Sequence, residues 1–268
     1  MLIISCRNTL RDSDSFGQEN SYFDASFAVG GRAITREIDE NTVCSETEGK
    51  RVLLLVHGYN NDFDDVTKAY SVIERSIGAT DEGYDAIVGF TWPGGDHKYE
   101  YHPARRRSSP AAGRLLEVMH LLSPSAIDVM SHSMGGRVVL KALTESGTEH
   151  EILRYHFATA SAVDDECIEP GGRYFQATRR THQTWIFHSK YDPVLRYWYR
   201  LGDLDTALGL HGPDDPYAVQ RFCKNVKVIS CRSHVTEHGG YKHCEAFYDF
   251  LQGIFQEKHP KSRQFFRL

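Results

Sequence analysis

The stretch Arg51-Val52-Leu53-Leu54-Leu55-Val56-His57 carries aliphatic side chains at every interior position, with no polar residue between them. A strand with one wet face alternates apolar and polar residues. An unbroken apolar run therefore predicts a strand covered on both faces, as in a parallel sheet flanked by helices. A helical pattern follows directly. Asp64 and Asp65 read as caps, and Val66, Tyr70, Ile73 and Ile77 recur at spacings that place them on one helix face.

The alternation continues down the chain. Asp85–Thr91 reads as a strand stopped by Pro93-Gly94-Gly95. Ala112, Leu115, Leu116, Met119 and Leu122 mark an amphipathic helix ending near Pro124. Ala126–Met130 is the next strand. Val138, Val139, Ala142 and Leu143 form the inner face of a helix that ends at Gly147. Strands at Leu153–Ala158, Thr184–His188 and Val226–Cys231 come next, and Phe247, Phe250, Leu251 and Ile254 make a closing helix. This order predicts an α/β fold with a mostly parallel central sheet and helices on both faces. Residues 1–50 differ: Leu2–Cys6, Tyr22–Val29 and Arg32–Ile38 read as an antiparallel start to the same sheet. No repeat or Pro/Ser-rich linker divides the chain, so residues 1–268 are expected to form one domain.

Composition narrows the function classes. A net charge of -5 argues against nucleic acid as the main partner. The N-terminal apolar run is too short for a signal-peptide core, and no apolar stretch reaches the ~20 residues that span a bilayer. Six dispersed cysteines without a CxxC pair read as free thiols in a reducing cytoplasm.

The residues most able to do chemistry are Ser131-His132-Ser133-Met134-Gly135-Gly136, between a strand and a helix. A serine on a tight strand-to-helix turn has its hydroxyl lifted clear of the sheet. Small residues two before and two after it are required because the backbone folds closely on itself. Ser133 is the expected nucleophile, with the Met134 amide at the helix start as an oxyanion donor. His57-Gly58-Tyr59-Asn60 follows an earlier strand and is expected to present the Tyr59 amide as the second donor. A serine needs a base and an orienting acid, each on a later strand end. Asp192, after Trp185–His188, is the expected acid, with Asp164 and Asp165 as alternatives. For the base, His238 before Gly239-Gly240 is preferred over His234, and His243 falls where the closing helix should begin.

These strings resemble the α/β-hydrolase superfamily. Leu55–Asn60, Phe90-Thr91-Trp92-Pro93 and Ser131–Gly136 together are similar to a bacterial group, the DUF900 hydrolases, over roughly Arg51 to Asp192. The resemblance implies the α/β-hydrolase fold, a hydrolytic triad and an oxyanion loop, but no substrate. Ser131 stands where the superfamily usually has glycine.

The expected activity is cleavage of a carboxylic ester or related acyl bond of a small molecule, without a cofactor. Two other classes compete. One is a binding protein that keeps the scaffold without its chemistry. The other is a zinc enzyme using His234, His238, His243, Cys231 and Cys244, which Gly239-Gly240 disfavours by breaking any helix that would aim two histidines together. Arg105-Arg106-Arg107 reads as a solvated helix start, with binding of an anionic substrate group as the alternative. Residues 193–222, including Tyr197, Trp198 and Tyr199, are either a small lid or pocket segment or a helix packed on the core.

Overall fold

A computed structural model describes residues 1–27, 33–78, 83–122, 124–203 and 205–268. The strands are β1 (Leu2–Arg7), β2 (Phe16–Phe27), β3 (Ala33–Ile38), β4 (Arg51–Val56), β5 (Ala86–Thr91), β6 (Ala126–His132), β7 (Leu153–Thr159), β8 (Thr181–His188), β9 (Val226–Ser230) and β10 (Phe265–Arg267). They form one sheet in the order β10-β9-β8-β7-β6-β4-β5-β1-β2-β3. Pairing is parallel from β10 through to β1, and antiparallel only for β1–β2 and β2–β3. The helices are α1 (Glu40–Thr47), α2 (Phe63–Gly78), α3 (Tyr101–Leu121), α4 (Met134–Glu145), α5 (Phe175–Thr178), α6 (Arg200–Asp203), α7 (Leu208–His211), α8 (Pro216–Phe222) and α9 (Glu245–Phe255).

The double-sided burial expected of β4 is present, with Val52 to Val56 at most 1% exposed. β4 lies between β5 and β6, so its C-terminal end and that of β6 are neighbours. This adjacency brings the His57 loop beside Ser133. On β8, Trp185 and Phe187 share one face by the two-residue period, and they meet Phe250 and Phe247 of α9 edge-on. Tyr70 of α2 places its hydroxyl 3.0 Å from the Leu55 carbonyl and 2.7 Å from that of Phe90, tying the helix to two strands.

Several sequence expectations need revision. The cap of α2 is Asp62, whose carboxylate accepts the Asp65 amide at 2.8 Å; Asp64 and Asp65 lie in the first turn, beside the amides that favour negative charge. Arg105–Arg107 sit inside α3 rather than at a solvated start, because that helix begins at Tyr101 and continues through Pro110. The antiparallel start expected of residues 1–50 is present in the β1–β2 and β2–β3 pairings, while β1 also runs parallel to β5. α1 and β10 had no clear sequence signal, being short and weakly patterned. Val29 and Arg32 lie outside the described residues. All six cysteines are free, four buried and two half-buried. Among the described residues, no helix is long and apolar enough to cross a membrane.

Candidate active site

Ser133 sits between β6 and α4 with φ 56° and ψ -124°, a left-handed conformation that side chains rarely adopt. Neighbouring backbone holds it there: its amide donates to Thr159 O at 3.0 Å and its carbonyl accepts from the Ala162 amide at 3.1 Å. The two small residues flanking the turn have direct steric reasons. A Cβ on Gly135 would lie 2.5 Å from the Val56 carbonyl oxygen, so the start of α4 can approach β4 only without a side chain. Ser131 is fully buried, its Oγ 2.9 Å from His156 Nε2, which explains why serine is accommodated where glycine is usual.

Gly58 faces this turn. A Cβ there would lie 2.8 Å from Ser133 Cβ and 3.3 Å from Ser133 Oγ, so the backbone of the 57–61 loop lies directly against the serine. His57 fixes that loop. Its Nδ1–H donates to Gly58 O at 2.6 Å, its Nε2 accepts the Trp92 amide at 3.1 Å, and the indole N–H of Trp92 returns to His57 O at 2.9 Å. Both ring nitrogens are committed to a neutral imidazole, and burial pushes its pKa well below 6.5. His57 is therefore a brace and not a base. Asn60 and Asn61 donate their amides to Gly94 and Gly95 carbonyls, closing the loop from the other side. Among the described residues, the amides of Tyr59 and Met134 have no hydrogen-bond partner. A helix start leaves such an amide free by geometry, whereas Tyr59 is freed by the loop's own bonds.

Asp192 and His238 are brought together across 46 residues. His238 Nδ1–H donates to Asp192 Oδ2 at 2.7 Å. The other oxygen, Oδ1, accepts the amides of Val194 and Leu195 at 2.9 and 3.0 Å, so the carboxylate is locked at both ends and is 1% exposed. The loop bearing His238 is anchored by Ser189 Oγ, which donates to Val235 O at 2.5 Å. The His238 ring stacks obliquely against that of His132, with centroids 4.7 Å apart, and His132 Nε2–H donates to His238 O at 2.8 Å. Desolvation, helped by His238, pushes the His132 pKa to about 3. His132, next to Ser133 in the chain, thus supports His238 from below. Among the described residues Ser133 Oγ has no hydrogen bond. Contacts of this kind commonly close only when substrate arrives.

The alternatives fall elsewhere. Asp164 accepts the Tyr199 hydroxyl at 2.5 Å, and neither it nor Asp165 bonds His238. His234 and His243 are exposed. Among the described residues, the side chains close enough to share a cation are Asp165, Glu166 and Asp205, none of them from the C-terminal His/Cys group. The zinc arrangement is not assembled, because His238 is spent on Asp192 and Cys231 is buried.

A cavity of about 350 Å³ opens beside this centre. It is lined by Gly58, Tyr59, His132 and His238, together with Lys98, Lys242 and Val194. Val66, Tyr70 and Ile73 of α2 and Phe247 of α9 add apolar surface to the lining. Of residues 193–222, Val194 reaches the cavity, Tyr197 is exposed and Tyr199 is buried against Asp164; the Trp198 side chain lies outside the described residues. Sequence reading missed two contributors. His132 was visible inside the serine motif, but its packing depends on a loop over a hundred residues away. Arg7 is 1% exposed on β1, donates to Asn61 O at 3.3 Å and leaves Nε and Nη1 unpartnered. An arginine in a short N-terminal strand carries no sign of that burial.

The family described as "Alpha/beta hydrolase of unknown function (DUF900)" matches residues 34–239. The chain belongs to this family. The matched DUF900 region contains the Ser133 turn, the 57–61 loop, Asp192 and His238. Solved structures with a similar fold include Est1E from Butyrivibrio proteoclasticus, at 13% identity over 89% of this chain and 93% of that one, with a TM-score of 0.48. An esterase from Pyrobaculum calidifontis is 14% identical over 89% and 79%, TM-score 0.43. EstE1, a carboxylesterase from a metagenomic library, is 11% identical over 90% of each chain, TM-score 0.40. No curated protein sequence matches the chain.

Proposed function

We propose that this DUF900 protein is a serine hydrolase that cleaves a carboxylic ester or related acyl bond through an acyl-enzyme. The observation that carries the reading is the 2.7 Å bond from His238 Nδ1–H to a doubly anchored Asp192, in a loop stacked over the residue that precedes Ser133. With Nδ1 carrying its proton to Asp192, the free Nε2 is the lone-pair nitrogen a general base requires.

In this mechanism Ser133 Oγ attacks the acyl carbonyl and its proton passes to His238 Nε2. The carbonyl π electrons move to oxygen, where the Tyr59 and Met134 amides receive the developing charge. Buried Arg7 holds the carbonyl of Asn61 in that loop. Collapse expels the alcohol, which takes the proton from His238. Water, deprotonated by the same ring, then attacks the acyl-enzyme; on collapse Ser133 Oγ leaves, taking the proton back from His238, and the acid is released. Asp192 holds the ring throughout and stabilises its imidazolium form. The apolar side chains lining the cavity suit the hydrocarbon part of an acyl substrate.

The test is labelling with a fluorophosphonate probe and hydrolysis of p-nitrophenyl butyrate. The expected result is a covalent adduct on Ser133, with adduct and turnover both lost in Ser133→Ala. A folded protein that takes no label and turns over no acyl ester would instead favour a binding protein on this scaffold.

A further inference from the structure

A second cleft lies away from the serine centre, between α3, α4 and the loop before α5, with a volume of about 300 Å³. Its basic side chains are Arg105 and Arg106 of α3, Arg137 and Lys141 of α4, and Arg173, against one acidic side chain, Glu145. That concentration stands out in a chain of net charge -5. Not all of it is available. Lys141 pairs with Glu145 at 2.6 Å, and Arg105 and Arg137 share the buried Asp203 at 2.7 and 3.2 Å. Arg106 and Arg173 are exposed and, among the described residues, have no ion pair. Arg137 is 4% exposed at its side chain, and its Nε has no hydrogen-bond partner. Held by Asp203 and by Ala162 O, the Arg137 guanidinium is a fixed positive charge in the lining of the cleft.

Two carboxylates, Glu145 and Asp203, against five basic side chains leave an excess of positive charge around the cleft. The fork of an arginine matches the spacing of phosphate oxygens and binds them with charge-assisted hydrogen bonds. A multiply charged tetrahedral group uses several such forks at once, which a single carboxylate ligand does not. We propose that this cleft binds a small molecule through a phosphoryl group, at a site separate from the serine centre. Arg106 and Arg173 are the adjustable arms, and Arg137 is the fixed base beneath them. The structure links this floor to the nucleophile: Arg137 lies one turn after Ser133 in α4 and donates to Ala162 O, while the Ala162 amide holds Ser133 O.

The experiment is calorimetric titration of the full chain with inorganic pyrophosphate and with orthophosphate, repeated on Arg106→Ala/Arg173→Ala. The expected result is saturable binding that weakens about tenfold or more in the double variant. Thermal midpoint and p-nitrophenyl butyrate turnover should stay unchanged. A control double variant, Arg221→Ala/Lys258→Ala, removes the same charge elsewhere and should bind as the parent does. Preference for pyrophosphate over orthophosphate would identify a phosphate ester or anhydride as the ligand type; equal binding would identify free phosphate. The proposal is overturned by absence of saturable heat up to about 10 mM of either probe. Equal weakening in both double variants would overturn it as well, since only overall charge would then matter. Neither outcome bears on the hydrolytic reading of Ser133.

Discussion

Replacing Asp192 by asparagine tests the proposed chemistry most sharply, because the structure dictates how the new side chain must sit. The amides of Val194 and Leu195 both point at Oδ1. An amide nitrogen placed there would face two donors and forfeit both bonds, at a cost of about 1–3 kcal/mol for each buried group left unsatisfied. The substituted side chain must therefore keep its oxygen on those amides and turn its NH2 toward His238 Nδ1. That nitrogen can then only accept, so the ring proton moves to Nε2. His238 in this tautomer has no lone pair for the Ser133 proton. The expected loss in kcat is about four orders of magnitude, or about 5.5 kcal/mol of barrier. Initial rates on p-nitrophenyl butyrate measure it, with circular dichroism and thermal unfolding to confirm the fold. Asp164→Asn provides the contrast: its carboxylate holds Tyr199 and not His238, so turnover should stay within about threefold of the parent. Retention of more than about a tenth of parental kcat in Asp192→Asn would refute the assignment of His238 as the base oriented by Asp192.

Gly58→Ala should lower kcat about a hundredfold with little change in KM, because the new methyl would meet Ser133 Cβ at 2.8 Å and push the Tyr59 amide off its position. Steady-state kinetics on the same ester would read this, and unaltered kcat would mean the loop and the serine do not act together. Stability should also depend on pH through His156, which is fully buried and whose pKa burial lowers to about 3. In the unfolded chain a histidine takes its proton near 6.5, so the unfolded state binds more protons as pH falls below that value. The stabilisation is complete above about 6.5 and declines down to about 3; at pH 5 the loss from this one group is about 2 kcal/mol. Urea unfolding from pH 7 to 5 should show the slope reduced by about one proton in His156→Asn, and an identical slope in both proteins would assign the proton uptake to other groups.

The fold was legible in the sequence wherever the signal was local. Val52–Val56 announced a strand covered on both faces, and the Ser131–Gly136 string announced a tight turn between strand and helix, because such turns admit few residue types. Short or irregular pieces were less legible. Strand β10 is three residues long, and α1 shows little amphipathic pattern, so neither carries a period to read. The cap of α2 was misplaced by two residues because three aspartates, Asp62, Asp64 and Asp65, crowd that turn and only geometry says which carboxylate receives the amide.

What the sequence by itself determined is the alternating α/β order, the serine turn and the short list of acids and bases that could serve it. Those follow from periodicity and turn sterics, which act between residues close in the chain. Which acid meets which histidine was decided only by the tertiary structure. Asp192 and His238 come from loops after β8 and β9, and their bond exists because those strands are neighbours in the sheet. The same holds for His57, which burial keeps neutral and whose Nε2 meets the Trp92 amide through the pairing of β4 with β5. It holds too for Arg7, whose charge is enclosed behind the 57–61 loop, and for the guanidinium cluster gathered from α3, α4 and Arg173. Hydrogen bonds and charges act over a few ångströms in space, whatever their separation along the chain, so only folding could assign these partners.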